Sequence, residues 1–258
     1  EANEVERLIG DARRRVAQWI GADDPRRIVF TCNGTDSLNL ALHGSIRPGD
    51  HVITSVAEHN SVLRPLQCLQ DTCEVQVTRL ACDSEGLIDP EQVRRAIGTK
   101  TRMIALVHAS NVTGALQPVA AVGRIAREHG ILFLVDAAQS IGHVPIDVGE
   151  LNADLLAAPG HKGLLGPLGT GVLYIGAEAE PQLSPIRQGG TGTDSAQARQ
   201  PAGMPDRYES GNHNVPGILG LGAGVAFLEQ RTVQSIRRHD QRLTTMLIEG
   251  LRESDAVR

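Results

Sequence analysis

Lys162 and Asp136 carry most of the chemical information in this sequence. Lysine occurs at two positions, Lys100 and Lys162, in a chain that otherwise draws its positive charge from arginine. Lys100 stands in Gly98-Thr99-Lys100-Thr101, a plain polar connector. Lys162 stands in Ala157-Ala158-Pro159-Gly160-His161-Lys162-Gly163, ahead of the glycine-rich run Gly166-Pro167-Leu168-Gly169-Thr170-Gly171. Arginine keeps its proton, whereas a buried lysine can lose it and condense with a carbonyl. Asp136, 26 positions upstream, closes the apolar stretch Leu132-Phe133-Leu134-Val135-Asp136. A carboxylate buried there is costly without a cation. A pyridinium ring would supply one. An apolar strand ending in Asp, then an isolated Lys in a Gly/His loop, is the pair that a pyridoxal phosphate enzyme needs. The lysine bonds the aldehyde, and the aspartate keeps the ring nitrogen protonated. The bland alternatives are a surface lysine and a helix-capping aspartate. A Walker phosphate loop would need Ser or Thr after the lysine, and Gly163 stands there.

Further polar groups fall at similar places. Asn33-Gly34-Thr35 marks a strand-to-helix turn, where free backbone N–H groups and the helix dipole favour a phosphate. The same residues also make an ordinary helix cap. His161, beside the lysine, can donate to that phosphate. His59, in Glu58-His59-Asn60-Ser61, can stack on a flat ring and move protons near neutral pH. Gln139, three residues after Asp136, can donate to a ring oxygen, although alone it is an unremarkable amide. Asn111 follows the apolar run 102–109. The four cysteines (Cys32, Cys68, Cys73, Cys82) show no metal-ligand or redox spacing, and none sits in an evident cationic setting.

The elements that must hold these groups alternate between helix and strand. Periodicity and caps predict helices over 5–20, from 33 to about 46, from His59 onward, and over 118–129, 216–230 and 233–251. Strands are expected over 27–31, 51–55, 74–80, 102–109, 131–138, 153–158 and 171–175. The runs 102–109 and 131–138 are almost wholly apolar, as strands buried on both faces of a parallel sheet are. Residues 118–129 then complete a βαβ unit. Residues 188–207 form a polar, glycine-rich loop too long for a simple connector. Glycines at 217, 220, 222 and 224 suit a closely packed helix. The expected class is α/β with a mainly parallel sheet. In such sheets ligands bind beyond the carboxyl ends of the strands. Thr35, His59, Asn111, Asp136 and Lys162 each follow or close a different strand.

Composition sets the outer bounds. At 258 residues with 41% hydrophobic and 21% charged side chains, the chain has the balance of a globular enzyme. A net charge of -5 argues against nucleic acid as a main partner. No apolar run approaches membrane-spanning length and no signal segment opens the chain, so a cytoplasmic protein with free thiols is expected. The chain opens and closes inside helical patterns, so segments are expected beyond both ends. The expected organisation is a large domain over 1–230 and the start of a smaller one over 231–258.

With Asp136-x-x-Gln139, Gly160-His161-Lys162 and Pro205-Asp206-Arg207-Tyr208-Glu209-Ser210-Gly211 in hand, the chain resembles the class V aminotransferase family, in particular its cysteine desulfurase and selenocysteine lyase branch. The likeness runs from about Val5 to Leu228 with the motifs in the same order. It implies a fold type I pyridoxal phosphate enzyme, a homodimer with shared active sites, and a small amino-acid substrate. A sulfur-acceptor protein is a further implied partner. By resemblance Lys162 is the cofactor-bonding lysine, Asp136 the ring-nitrogen partner, and Gln139 the contact to the phenolic oxygen. His59 matches the stacking histidine and Asn111 an asparagine beside the ring. Thr35 (with Gly34 in its turn) and His161 match phosphate ligands. Two positions depart from the family pattern. Pro159 replaces a hydroxyl residue, and Asn212 follows Gly211 where threonine is usual. No residue from 215 to 258 matches the family's persulfide cysteine or carboxylate-binding arginine. A transaminase, a β-eliminating lyase and a non-catalytic dimeric scaffold therefore stay open beside desulfuration.

Overall fold

The computed structural model describes residues 2–193 and 196–254. Seven strands form its single sheet: β1 (Ile28–Thr31), β2 (His51–Ser55), β3 (Gln76–Leu80), β4 (Thr101–Val107), β5 (Leu132–Asp136), β6 (Leu155–Pro159) and β7 (Gly171–Ile175). Their order is β1-β7-β6-β5-β4-β2-β3. The pairs β2–β3, β2–β4, β4–β5 and β5–β6 are parallel, while β7 runs antiparallel to both neighbours. The expected α/β class with a mainly parallel sheet is what forms.

Among the described residues, seven α-helices accompany the sheet: α1 (Ala2–Trp19), α2 (Gly34–Ser45), α3 (Asn60–Cys73), α4 (Pro90–Ala96), α5 (Val119–Glu128), α6 (Val215–Arg231) and α7 (Val233–Arg252). Two apolar clusters fill the space on the two faces. Alternate strand residues divide between them, as the two-residue pleat requires. Phe133 and Val135 of β5 join helices α1, α5 and α6, whereas Leu132 and Leu134 join α2 and α3. Gly222 lets α6 meet α1 closely, because a Cβ there would lie 2.8 Å from the Cβ of Ala12.

Several details differ from expectation. Helix α4 was not foreseen. It is short, its one buried residue is Val93, and it begins at Pro90 under an Asp89 cap. Strand β6 starts later than 153 and takes in Pro159, which pairs with Gly171 instead of opening the lysine loop. Strand β4 stops at Val107, after which Ala109 makes only an isolated bridge to Leu116. In the long loop over 188–207, residues 194 and 195 lie outside the described residues, as do 255–258 of the expected small domain. Helix α7 buries no residue.

Candidate active site

The carboxyl ends of the strands open onto a cavity of about 690 Å3, within the roughly 300–1,000 Å3 range of small-molecule sites. Gly34, Thr35, His59, Asn111, Asp136, Gln139, His161 and Lys162 all line it. Sheet order explains the convergence. Asp136 ends β5, in register with Val107 of β4 and Ala157 of β6, and these central strands deliver their following loops to one edge.

Asp136 is 2% exposed, and its Oδ1 accepts the backbone N–H of Ala138 at 2.9 Å. Burial pushes its pKa up, while that amide and the charges of His59 and Lys162 pull the other way. Lys162 is half-buried in the turn after β6, and its carbonyl accepts from the Leu165 amide. His59 caps α3, and its Nδ1 accepts the backbone N–H of Ser61 at 3.1 Å. With Nδ1 used as acceptor, the neutral ring carries its proton on Nε2. Asn111 is exposed in a turn where Ser110 Oγ accepts the amides of Val112 and Thr113. Gln139 is half-buried.

The end of the cavity expected to take a phosphate is built by α2 against β6. Asn33 Oδ1 accepts the amide of Asp36, which leaves the first-turn amides of Gly34 and Thr35 without a side-chain cap. A Cβ at Gly34 would lie 3.0 Å from Pro159 Cδ, and one at Gly171 would lie 2.5 Å from the carbonyl carbon of Asn33. Glycine at both positions therefore lets this turn close on the lysine loop. Asp36 puts a carboxylate near the same helix start, and Arg187 offsets it through a 2.7 Å ion pair. Thr35 Oγ1 lies 2.8 Å from Ser61 Oγ, which lies 2.9 Å from His59 Nδ1. Ser61 thus ties the start of α2 to His59. The sequence showed it only as the third residue of a cap, and its link to Thr35 spans two helices.

Asn212 does not reach this cavity. It lines a neighbouring one of about 120 Å3, which shares Cys32 and Gly169 with the first. The tail that carries it is held by Glu209, whose carboxylate takes two bonds from Arg13 at 2.7 and 2.9 Å and one from the Phe30 amide at 2.6 Å. Asn214 caps α6 and donates to the Gly169 carbonyl at 3.1 Å, fixing the glycine-rich run after Lys162. Sequence reading missed this residue, although Asn before Val-Pro is a usable cap signal. Among the described residues no His, Cys, Asp and Glu cluster could hold a metal ion.

The profile of the family Aminotransferase class-V matches residues 1–258. The chain belongs to the class V aminotransferase family. A probable cysteine desulfurase of Methanothermobacter thermautotrophicus is 37% identical over 254 residues, covering 97% of this chain and 63% of that protein. Among solved structures, the apo cysteine desulfurase from Thermococcus onnurineus NA1 superposes with a TM-score of 0.91 at 35% identity, covering 97% of this chain and 64% of that one. The cysteine desulfurase CsdA from Escherichia coli superposes with a TM-score of 0.90 at 31% identity, covering 98% of this chain and 65% of that one. The class V chain therefore spans a little under two thirds of the length of these relatives.

Proposed function

We propose that this class V family member binds pyridoxal 5'-phosphate and removes sulfur from L-cysteine, or selenium from L-selenocysteine, leaving alanine. The observation that carries the reading is Lys162 and the buried Asp136 lining one cavity with His59. The residues fit the cofactor. Asp136 is a buried carboxyl supported by one backbone amide, so a ring cation would complete its pairing. The Gly34 cradle, which a side chain would obstruct, leaves the α2 amides free for a phosphate.

Bound pyridoxal phosphate supplies an aldehyde and an electron-withdrawing ring. Lys162 would hold that aldehyde covalently, and its amine would take the proton from the substrate Cα. Asp136 would hold the ring-nitrogen proton. His59, with its proton on Nε2, would pass protons beside the cofactor. Gln139 and Asn111, which line the same cavity, would help to hold the ring. Thr35, the Gly34 turn and His161 bind the phosphate. Asn212, exposed beside the cavity, serves the phosphate of a second copy in a homodimer. The assignment of this chain to the cysteine branch rests on its 31–37% identity to cysteine desulfurases. That branch supports a sulfur-acceptor protein as partner. The four free thiols support a reducing, cytoplasmic setting. No helix among the described residues is long and apolar enough to cross a membrane. Helix α7 is read as the first element of a smaller domain over 231–258.

Adding pyridoxal phosphate is expected to give a visible absorbance that borohydride bleaches and that Lys162→Ala abolishes. A protein that stays colourless sinks the reading and favours a non-catalytic scaffold. With cysteine as substrate and a thiol reductant present, alanine with sulfide marks desulfuration, pyruvate marks β-elimination, and dependence on a keto acid marks transamination.

A further inference from the structure

Glu58 precedes His59, yet it does not line the cavity. Its residue is 6% exposed. Oε1 accepts from Ser55 Oγ, at the end of β2, at 2.6 Å. Oε2 is enclosed and has no hydrogen-bond partner among the described residues. A carboxylate with one bare, buried oxygen is a costly arrangement, and a neutral carboxylic acid is a far cheaper one. Asp136, at the end of β5, and Cys82, in the segment after β3, are ionisable neighbours of Glu58. Neither offers a positive charge.

We propose that Glu58 is a positioning residue that holds a proton beside Asp136, so that Asp136 is the carboxyl that ionises and faces the ring. This rests on the reading of Asp136 as the ring-nitrogen partner. Two neighbouring buried carboxyls do not ionise together, and their surroundings decide which one keeps the proton. Asp136 has the Ala138 amide and the charges of Lys162 and His59 on the side of its ionised form. Glu58 has the Ser55 hydroxyl and the nearby Val107 backbone, which are outweighed by burial, and the Asp136 charge adds to that effect. Its pKa is pushed up to about 8. With the proton kept on Glu58, the pair carries one negative charge, on the cavity side. Above about pH 8 a second charge develops behind it.

The test is a side-chain carboxyl 13C NMR titration of the chain from acid to alkaline pH, with and without pyridoxal phosphate. Without cofactor, a glutamate signal with an inflection near pH 8 is expected, and Glu58→Gln removes it. Ser55→Ala, which deletes the donor, moves the inflection up. Asp136→Asn, which deletes the like charge, moves it down. These opposite shifts assign the signal even if Glu58→Gln does not fold, and a purely structural role would produce neither. Cofactor addition moves the inflection down, because a ring cation offsets Asp136. An inflection in the ordinary range near pH 4.5 overturns the proposal. An inflection near 8 that the cofactor leaves unmoved keeps the proton on Glu58 and instead defeats the pyridoxal phosphate reading.

Discussion

At the scale of single residues, Pro159 stands where the family resemblance leads one to expect a hydroxyl residue. It ends β6, lines the cavity, and abuts the Gly34 turn proposed to bind the phosphate. Proline brings neither a hydroxyl nor an N–H to that corner. The Pro159→Ser variant restores both. A charge-assisted bond is worth about 1.5–3 kcal/mol, so equilibrium dialysis should show pyridoxal phosphate held roughly ten- to a hundred-fold more tightly. An unchanged dissociation constant would mean that the phosphate does not lie against this turn. The anion end already spends part of its positive field on Asp36, which Arg187 offsets, so a further donor has room to act.

At the scale of elements, one buried ion pair joins three parts of the chain. Arg13 on α1 clasps Glu209 in the tail, and Glu209 also accepts the Phe30 amide of β1. The two side chains are 9% and 2% exposed. The Arg13 guanidinium also lies 4.5 Å from the centre of the Phe30 ring. Removing one member of such a pair leaves an uncompensated buried charge. Glu209→Gln should therefore cost about 3–5 kcal/mol in urea denaturation. A loss below about 1 kcal/mol would show instead that apolar contacts such as those of Tyr208 dock the tail. Because Asn212 follows three residues later, the same variant displaces the segment proposed to reach a second copy.

At the scale of the whole molecule, buried ionisable groups set how stability depends on pH. Glu58 ionises in the folded chain near pH 8 against an ordinary value of 4.5, so its contribution is complete below 4.5 and is lost as pH rises through 8. His108, 8% exposed and with its Nδ1 unpartnered among the described residues, has its pKa lowered to about 4, first by burial and then by the charge of Arg237. Its contribution is present above the ordinary histidine value of 6.5 and is lost as pH falls through 4. The two slopes oppose each other between 4.5 and 6.5, and above 6.5 the glutamate acts alone. Stability of the cofactor-free chain should therefore fall by about 2 kcal/mol between pH 6.5 and 8. Urea titrations at the two pH values check this, and Glu58→Gln should flatten the difference.

Local chemistry was enough to read much of this protein from its sequence. Apolar runs named β4 and β5, glycine and proline bounded α2 and α5, and the rarity of lysine singled out Lys162 beside Asp136. Each of these signals lies within a few neighbouring residues, where backbone preference and burial are written directly. The remainder depended on contacts between distant segments. Only the fold decided that β7 runs antiparallel between β1 and β6, which brings Gly171 against Asn33. Only the fold linked Thr35 to His59 through Ser61, set Asn212 in a neighbouring cavity, and tied the tail to α1 through Glu209. Glu58 shows the boundary most clearly. The sequence displays a polar Glu-His pair at a helix start, where a solvated carboxylate is the ordinary outcome. Its burial between strand ends beside Asp136 follows from strand order, which no local pattern specifies.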